Sequence, residues 1–204
     1  SDFDTYVEPF VGGGAVYWTL KYNFSDKHYH INDLNEHLVN FFQQLQNNYD
    51  ELVLDLARHK NTKEYYLEQR ELINQNIKPN CINMASTFYF INKTCFSGKW
   101  QINKDGVMTT GYANYPNSRW RTWSQIKPIY HELIQGTNIT CLDCEDVLKQ
   151  YQNDSNAFIF LDPPYSDLKS MYVDDVNFSE MFDTILYHLK NSQAKILMIL
   201  GDGE

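Results

Sequence analysis

The sequence predicts an α/β protein in which a parallel sheet is interrupted by a mainly helical insertion. Strand-like and helix-like segments alternate in residues 1–48 and 120–204, whereas most of residues 49–119 is helix-like with no convincing strand. Three of the strand-like segments are followed directly by an acidic residue, at the edge where parallel sheets bind ligands. With 204 residues, 43% of them hydrophobic, the chain can bury one core and carry an inserted lobe.

The first predicted elements are a buried strand at Thr5–Pro9 and a helix that begins near Ala15. Between them, the turn at residues 10–14 contains three consecutive glycines, which let a ligand lie against the main chain beside helix N-terminal amides. The turn lacks both a dinucleotide fingerprint and the Gly-Lys-Ser/Thr of a phosphate loop. Tight strand-helix packing is the alternative reason for these glycines.

A second predicted strand, Tyr29–Asn32, ends at Asp33 and precedes an amphipathic helix. A carboxylate at this position is placed to accept hydrogen bonds from a ribose diol. The alternative role for Asp33 is the N-cap of the following helix.

Beyond the insertion, the sequence predicts a helix at about Trp123–Ile134 and then three more strands, Asn138–Leu142, Ala157–Leu161 and Lys195–Leu200. Asp143 follows the first of these strands and precedes a helix. Its carboxylate is expected either to face a ligand at the sheet edge or to cap that helix.

The most informative motif is Asp162-Pro163-Pro164-Tyr165, which follows the apolar strand. A carboxylate at position 162 accepts hydrogen bonds and donates none. It can therefore accept one N–H of an exocyclic amine on a flat base, while the Pro163 carbonyl accepts the other. The ring of Tyr165 can stack on that base. The alternative is a Pro-Pro turn that closes a buried strand, since proline cannot continue a ladder.

The charge distribution favours a polyanionic partner on one face only. The net charge is −9, yet residues 92–128, called the basic segment below, carry six Lys or Arg side chains against Asp105 alone. Such segregation can direct a polyanion to one surface. A solvated basic loop is the alternative.

Composition also excludes several classes. No apolar run approaches the ~20 residues that cross a bilayer and no export signal is evident, which predicts a cytoplasmic protein that does not bind membranes. Cys81, Cys95, Cys141 and Cys144 include a single Cys-x-x-Cys pair, so we expect reduced, mostly buried thiols and no metal.

Four segments together resemble the Dam-type, alpha-class DNA adenine-N6 methyltransferases. They are Tyr6–Gly14, Asn32–Asn35, Thr94–Gly98 and Phe160–Tyr165, in the order that defines the class. The resemblance implies a Rossmann-like methyltransferase sheet, a mainly helical target-recognition lobe at residues 49–119 and a β-hairpin. It implies S-adenosylmethionine as cofactor and double-stranded DNA as partner, with methyl transfer to N6 of a flipped-out adenine. We expect a monomer or weak dimer.

The resemblance also implies roles for individual residues. The catalytic residues it implies are Asp162, Pro163, Pro164 and Tyr165. The cofactor-binding residues are Glu8, Phe10, Gly12, Gly13, Gly14, Asp33, Asp143 and Asp162. Together with the basic segment, the resemblance of residues 93–115 to the family's DNA-facing hairpin predicts DNA contacts at Lys93, Ser97, Lys99, Trp100, Gln101, Lys104, Tyr112, Arg119 and Arg121.

Two aromatic residues in this hairpin are candidates to fill the gap left by the flipped base. They are Trp100 and Tyr112, with packing into the core as the alternative for Trp100. Several relatives with a GATC target carry an arginine near the position of Gln101, so the resemblance does not imply that target.

The chain also departs from the family pattern. Neither the usual Trp-x-Gly-Gly-Lys segment ahead of the first strand nor the final hairpin of the sheet is found in residues 1–204. We therefore expect either part of a longer protein or a reduced relative. The alternatives to DNA methylation are methyl transfer to another planar amine, such as an RNA base or a protein glutamine, and a catalytically reduced nucleic-acid- or cofactor-binding relative.

Overall fold

The computed structural model describes residues 3–75, 79–103, 105–164 and 178–199. Its centre is a five-stranded, fully parallel sheet in the order β3-β2-β1-β4-β5. The strands are β1 (Thr5–Glu8), β2 (His28–Asn32), β3 (Asn138–Thr140), β4 (Ala157–Leu161) and β5 (Lys195–Met198). The predicted α/β class and all five predicted strands are therefore confirmed, although β1 ends one residue and β3 two residues earlier than expected, and β5 ends at Met198, before the predicted limit.

The chain divides into two compact units. The first unit comprises residues 1–35, 133–167 and 176–204, and it holds the sheet. Its helices are α1 (Ala15–Asn23), α8 (Cys144–Tyr151) and α9 (Phe178–Asn191). One apolar cluster of this unit joins Val7 of β1, Ile159 of β4, Val147 of α8 and Ile185 of α9, each fully buried. This packing fixes the carboxyl ends of the central strands.

The second unit is mainly helical, and its described residues lie within 36–132. Its described helices are α2 (Glu36–Asn47), α3 (Tyr49–Leu56), α4 (Lys63–Asn74), α5 (Ile82–Thr94) and α6 (Asn117–Trp123), and α7 (Pro128–Ile134) starts within it. Helices α2, α3 and α4 all pack against α5. Helix α5 is accordingly buried along most of its length.

After α5, the chain doubles back without forming regular strands in its described part. Two isolated antiparallel bridges, Cys95–Tyr112 and Ile102–Met108, connect its two arms. The backbone N–H of Asn103 donates to Val107 O over 2.9 Å, and Gly98 lies in a short 3-10 turn at residues 96–98. The predicted β-hairpin therefore stays a prediction.

The limits of the two units differ from the predicted domain limits. Helices α2 and α6 belong to the second unit, whereas residues 36–48 and 120–132 were assigned to the sheet domain. Alternation of strand and helix does not reveal on which body a helix packs. The roles assigned to the two domains remain predictions.

The single helix predicted at Trp123–Ile134 is wrong. Helix α6 ends at Trp123, and α7 begins at Pro128. Proline lacks an N–H and disfavours helical geometry at the preceding residue, so it starts a helix more readily than it continues one. The apolar spacing across the break had concealed this effect.

The four cysteines differ in burial. Cys95 and Cys144 are buried, but Cys81 is exposed and Cys141 is half-buried, so the expectation of mostly buried thiols is only half right. Within the described ranges, no helix has the length and apolar character of a membrane span.

Candidate functional site

The described catalytic and cofactor-binding candidates all lie in the first unit, at the carboxyl edge of the sheet. Because the strands are parallel, Glu8 at the end of β1, Asp33 after β2, Asp143 after β3 and Asp162 after β4 follow strand ends on the same edge. The strand order reverses at β1, which pairs with β2 on one side and β4 on the other. In open parallel sheets, ligands bind in the crevice at such a reversal.

The glycine turn between β1 and α1 contains two different environments. Gly12 and Gly14 have φ angles of 47° and 71°, which favour glycine. A Cβ at Gly14 would lie 3.0 Å from Nε1 of Trp18, so both its φ angle and close packing favour glycine there. A Cβ at Gly12 or Gly13 would meet no atom within 4 Å. These two residues therefore present open main chain to a ligand.

Asp33 is connected to that turn directly. Its Oδ2 accepts a hydrogen bond from the Gly12 N–H over 3.0 Å, and its Oδ1 accepts one from the Asn35 N–H, also over 3.0 Å. Burial raises the pKa of Asp33, and the backbone N–H groups oppose that rise. A carboxylate has about four acceptor positions, so Asp33 can hold the turn and still accept from a ligand hydroxyl.

Asp143 makes the capping contact that was one of its two predicted roles. It is the N-cap of α8, and its Oδ1 accepts a hydrogen bond from the Glu145 N–H over 2.8 Å. Its side chain is exposed, whereas Phe10 is half-buried and packs against the apolar cluster of the first unit. A ligand contact for either residue stays a prediction.

Glu8 is a buried carboxyl group, only 3% exposed. The Tyr6 hydroxyl donates a hydrogen bond to its Oε2 over 2.6 Å. Burial raises the pKa of Glu8 to about 7; the hydrogen bonds from Tyr6 and from the Tyr17 backbone oppose the rise, and the negative charge of Asp162 adds to it. Glu8 thus titrates near neutrality at the centre of the sheet edge.

Asp162 is exposed directly beyond β4, while Pro163 is buried and Pro164 is half-buried. The strand is paired up to its last residue, since Leu161 O accepts a hydrogen bond from the Ile199 N–H over 2.8 Å. The Asp162 carboxylate is therefore carried by a rigid strand end. The fourth residue of the motif, Tyr165, lies outside the described residues.

The predicted DNA-binding residues that are described all lie in the second unit. Ser97, Lys99, Arg119 and Arg121 are exposed, and Gln101 is half-buried. Lys93 is half-buried with its Nζ 5.3 Å from the centre of the Tyr89 ring, and burial lowers its pKa. Lys104 lies outside the described residues.

The two aromatic candidates for filling the gap in the duplex both have packing partners. The Trp100 ring centre lies 4.9 Å from that of Phe88. The Tyr112 ring lies 5.5 Å from that of Tyr66, and its hydroxyl donates to Asn61 O over 3.0 Å.

Phe96 is instead the exposed aromatic side chain of this turn. It is 65% exposed and precedes Ser97, whose positive φ of 58° marks a tight turn. Sequence reasoning missed Phe96. The available signal was an aromatic residue two positions before Gly98 in a basic segment.

Comparisons with known proteins agree with these features. The family model for the D12 class N6 adenine-specific DNA methyltransferase matches residues 1–198. The type II methyltransferase M.MjaIII of Methanocaldococcus jannaschii is 32% identical over 174 residues, which cover 80% of this chain and 59% of the relative. The type II methyltransferase M.CviBI of Paramecium bursaria Chlorella virus NC1A is 30% identical over 206 residues, covering 98% and 74%.

More distant matches include a DNA adenine methylase of Vibrio cholerae, which is 27% identical over 168 residues that cover 80% of this chain and 57% of the relative. The chain thus spans less than two thirds of the length of the first and third of these relatives. The match to the family model nevertheless extends over nearly all of its residues. The chain belongs to the D12 class of N6 adenine-specific DNA methyltransferases.

Proposed function

We propose that this protein transfers a methyl group from S-adenosylmethionine to N6 of a flipped-out adenine in double-stranded DNA. The observation that carries the proposal is the exposed Asp162 carboxylate at a rigid strand end, on the same sheet edge as the open glycine turn, in a member of this family. The first unit would hold the methyl donor and the amine. The second unit would contact DNA.

The residues at the sheet edge suit the proposed donor. Open main chain at Gly12 and Gly13 leaves space for a ligand that a Cβ would fill, and the Asp33 carboxylate retains acceptor positions for a ribose diol. S-adenosylmethionine supplies an electrophilic methyl group on a sulfonium ion. Asp162, and Glu8 in its ionised form, add negative charge at the same edge, which favours a cationic ligand electrostatically.

The residues after β4 suit the proposed acceptor. The adenine amine is a weak nucleophile because its lone pair is delocalised into the ring. Asp162 would accept one of its N–H groups and the Pro163 carbonyl the other, which favours a tetrahedral nitrogen with a directed lone pair. Positioning and electrostatics of this kind accelerate a reaction without a covalent intermediate. Stacking by Tyr165 stays part of the proposal.

The exposed part of the basic segment supports binding to the duplex. Lys99, Arg119 and Arg121 carry accessible positive charge, and phosphate neutralisation by such residues dominates the affinity of proteins for DNA. Phe96 is exposed in the same segment. An exposed apolar ring among basic residues suits insertion into a base stack, so Phe96 replaces Trp100 and Tyr112 as our candidate for that role.

The test is transfer of labelled methyl groups by the purified chain to a long unmethylated duplex, which requires no knowledge of the recognition sequence. Nucleoside analysis of the product should yield labelled N6-methyladenine. Labelled methylcytosine, or label on RNA of the same sequence but not on DNA, would contradict the proposal. So would the absence of transfer by protein that is folded and binds the donor.

A further inference from the structure

Asn32, the last residue of β2, is a buried polar residue to which the sequence patterns assign no function. Its side chain is 1% exposed, and β2 lies between β1 and β3 in the sheet. A primary amide carries two N–H donors and an oxygen with two lone pairs. Burial without partners for these groups is costly. The partners of Asn32 therefore report what this residue holds in place.

All four hydrogen-bonding positions of the Asn32 amide are used, and most of them connect to two loops. Its Nδ2 donates to Pro9 O and to Leu142 O, each over 3.0 Å. Its Oδ1 accepts from the Leu142 N–H over 2.8 Å and from the Thr140 hydroxyl over 2.7 Å. One side chain thus joins the loop after β1 to the loop after β3.

These two loops carry most of the proposed donor-binding residues. Pro9 immediately precedes Phe10 and the glycine turn, and Leu142 immediately precedes Asp143. The Asn32 backbone also holds the first loop, because its carbonyl accepts a hydrogen bond from the Val11 N–H over 2.9 Å. The neighbouring Asp33 holds Gly12.

A chain of hydrogen bonds from Tyr151 through His30 and Thr140 fixes the orientation of the Asn32 amide. The Thr140 hydroxyl donates its proton to Asn32. The Oγ1 atom of Thr140 therefore accepts a hydrogen bond from the Nε2–H of His30, which lies 2.7 Å away. Nδ1 of His30 then accepts from the Tyr151 hydroxyl over 2.9 Å. Burial lowers the pKa of His30 to about 4, so the ring is neutral and has one donor and one acceptor, as this chain requires.

We propose that Asn32 is a positioning residue for the methyl-donor site: its amide fixes the loops after β1 and β3 relative to each other, without contacting the donor itself. The proposal rests on the proposed function for the identity of the donor. It predicts a loss of donor affinity that exceeds what general destabilisation of the first unit would cause. The methyl-transfer step itself should change little once the donor is bound.

The test compares Asn32→Ala with Ile185→Ala. Ile185 is fully buried in the apolar cluster of the same unit, so its truncation is a control for destabilisation alone. We expect Asn32→Ala to raise the Kd and the KM for S-adenosylmethionine roughly tenfold or more, with kcat within about threefold of wild type. Ile185→Ala should lower the midpoint of thermal unfolding and leave both donor constants near wild type.

Donor constants that change equally in the two variants, or not at all in Asn32→Ala, would overturn the proposal. If Asn32→Ala fails to fold, amide hydrogen exchange of the wild type decides. The N–H groups of Val11, Gly12 and Leu142 all donate to the neighbouring residues Asn32 and Asp33. Their hydrogen exchange should therefore report one common free energy of opening. Independent opening of Leu142 would contradict the joint role.

Donor binding by the wild type, measured beside the exchange experiment, separates this proposal from the proposed function. A folded wild-type protein that binds no S-adenosylmethionine would refute the proposed donor and, with it, the role of Asn32 in donor binding. Common opening of the two loops would then remain as a structural property alone. Donor binding by the wild type with unchanged affinity in Asn32→Ala would refute the positioning role and leave the proposed function standing.

Discussion

The glycines of the turn at residues 10–14 differ in what surrounds them, so substitutions can distinguish a packing role from a proposed ligand-binding role. Gly14 has a positive φ and packs closely against Trp18, whereas Gly13 is exposed and a Cβ there would meet no atom within 4 Å. Gly13→Ala should therefore leave the midpoint of thermal unfolding nearly unchanged but raise the Kd for S-adenosylmethionine about tenfold or more, because the added methyl group takes ligand space. Calorimetric titration measures the Kd.

The matched control is Gly111→Ala, which adds the same methyl group in equally open space in the second unit. It should change neither the donor affinity nor the unfolding midpoint. Equal donor affinity in the wild type and in Gly13→Ala would mean that the donor does not lie against this turn.

Glu8 predicts a specific dependence of stability on pH. Its pKa is raised from 4.5 to about 7 by burial, so the folded protein retains a proton that the unfolded chain loses in this interval. The contribution of Glu8 to stability therefore falls as pH rises from about 4.5 to 7 and is constant above that range. At 1.36 kcal/mol per pKa unit, the fall approaches about 3 kcal/mol.

Denaturant unfolding of the wild type and of Glu8→Gln between pH 5 and pH 8 tests this prediction. Glutamine imitates the protonated acid, so the difference in unfolding free energy between the two proteins should shift in favour of the variant as pH rises. A difference that is independent of pH would show that Glu8 is already ionised at pH 5 in the folded protein.

Phe96 is predicted to act on the duplex rather than on the fold. Because its ring is 65% exposed, Phe96→Ala should leave the unfolding midpoint unchanged. If the ring helps to open the base stack, methyl transfer to a fully paired target should fall, while a mismatched target adenine should restore most of it, since such a base costs less to flip. Single-turnover rates on the two duplexes provide the test. Equal losses of the single-turnover rate on the paired and the mismatched duplex would contradict a role for Phe96 in opening the base stack.

Among the larger elements, the basic segment predicts how the affinity for DNA depends on salt concentration. If Lys99 and Arg121 meet phosphates, DNA affinity should fall steeply with ionic strength, with a log-log slope near ~0.9 for each neutralised phosphate. The double variant Lys99→Glu with Arg121→Glu should lower both the affinity and the magnitude of the slope. Fluorescence anisotropy on a labelled duplex across a salt series measures both quantities.

The control reverses the same amount of charge elsewhere in the second unit. Lys60 and Lys63 are exposed and lie outside the basic segment. Their double reversal to Glu should leave the slope close to that of the wild type. If both double variants lower the slope equally, DNA responds to net charge alone and the basic segment is a solvated loop.

Local patterns predicted those elements whose determinants lie close together in sequence. The apolar run 157–161 gave β4 with its observed limits, and the glycine turn marked the start of α1. The break before Pro128 was missed because apolar spacing continued across it. Asn32 was missed for a different reason. Two of the loop groups that its amide binds belong to Leu142, 110 residues away, so no local pattern reports them.

At the scale of the whole molecule, the described site candidates separate into two units of different character. The catalytic and donor-binding candidates lie in the sheet unit, and the DNA-binding candidates lie in the mainly helical unit. Charge and periodicity in the sequence indicate two parts, but the limits predicted for them differ from those of the compact units, because the packing of α2 and α6 depends on contacts with α5. The family match extends across both units.

Asp162 is proposed to orient the adenine amine for methylation. The variant to measure is Asp162→Ala, with Asp154→Ala as its control, because Asp154 precedes β4 at the opposite end of the same strand. Labelled methyl transfer to duplex DNA should fall by at least about a hundredfold in Asp162→Ala, while the Kd for S-adenosylmethionine stays within about threefold of wild type. Asp154→Ala should retain N6-methyladenine formation. Near-normal turnover by Asp162→Ala at saturating DNA would contradict the account.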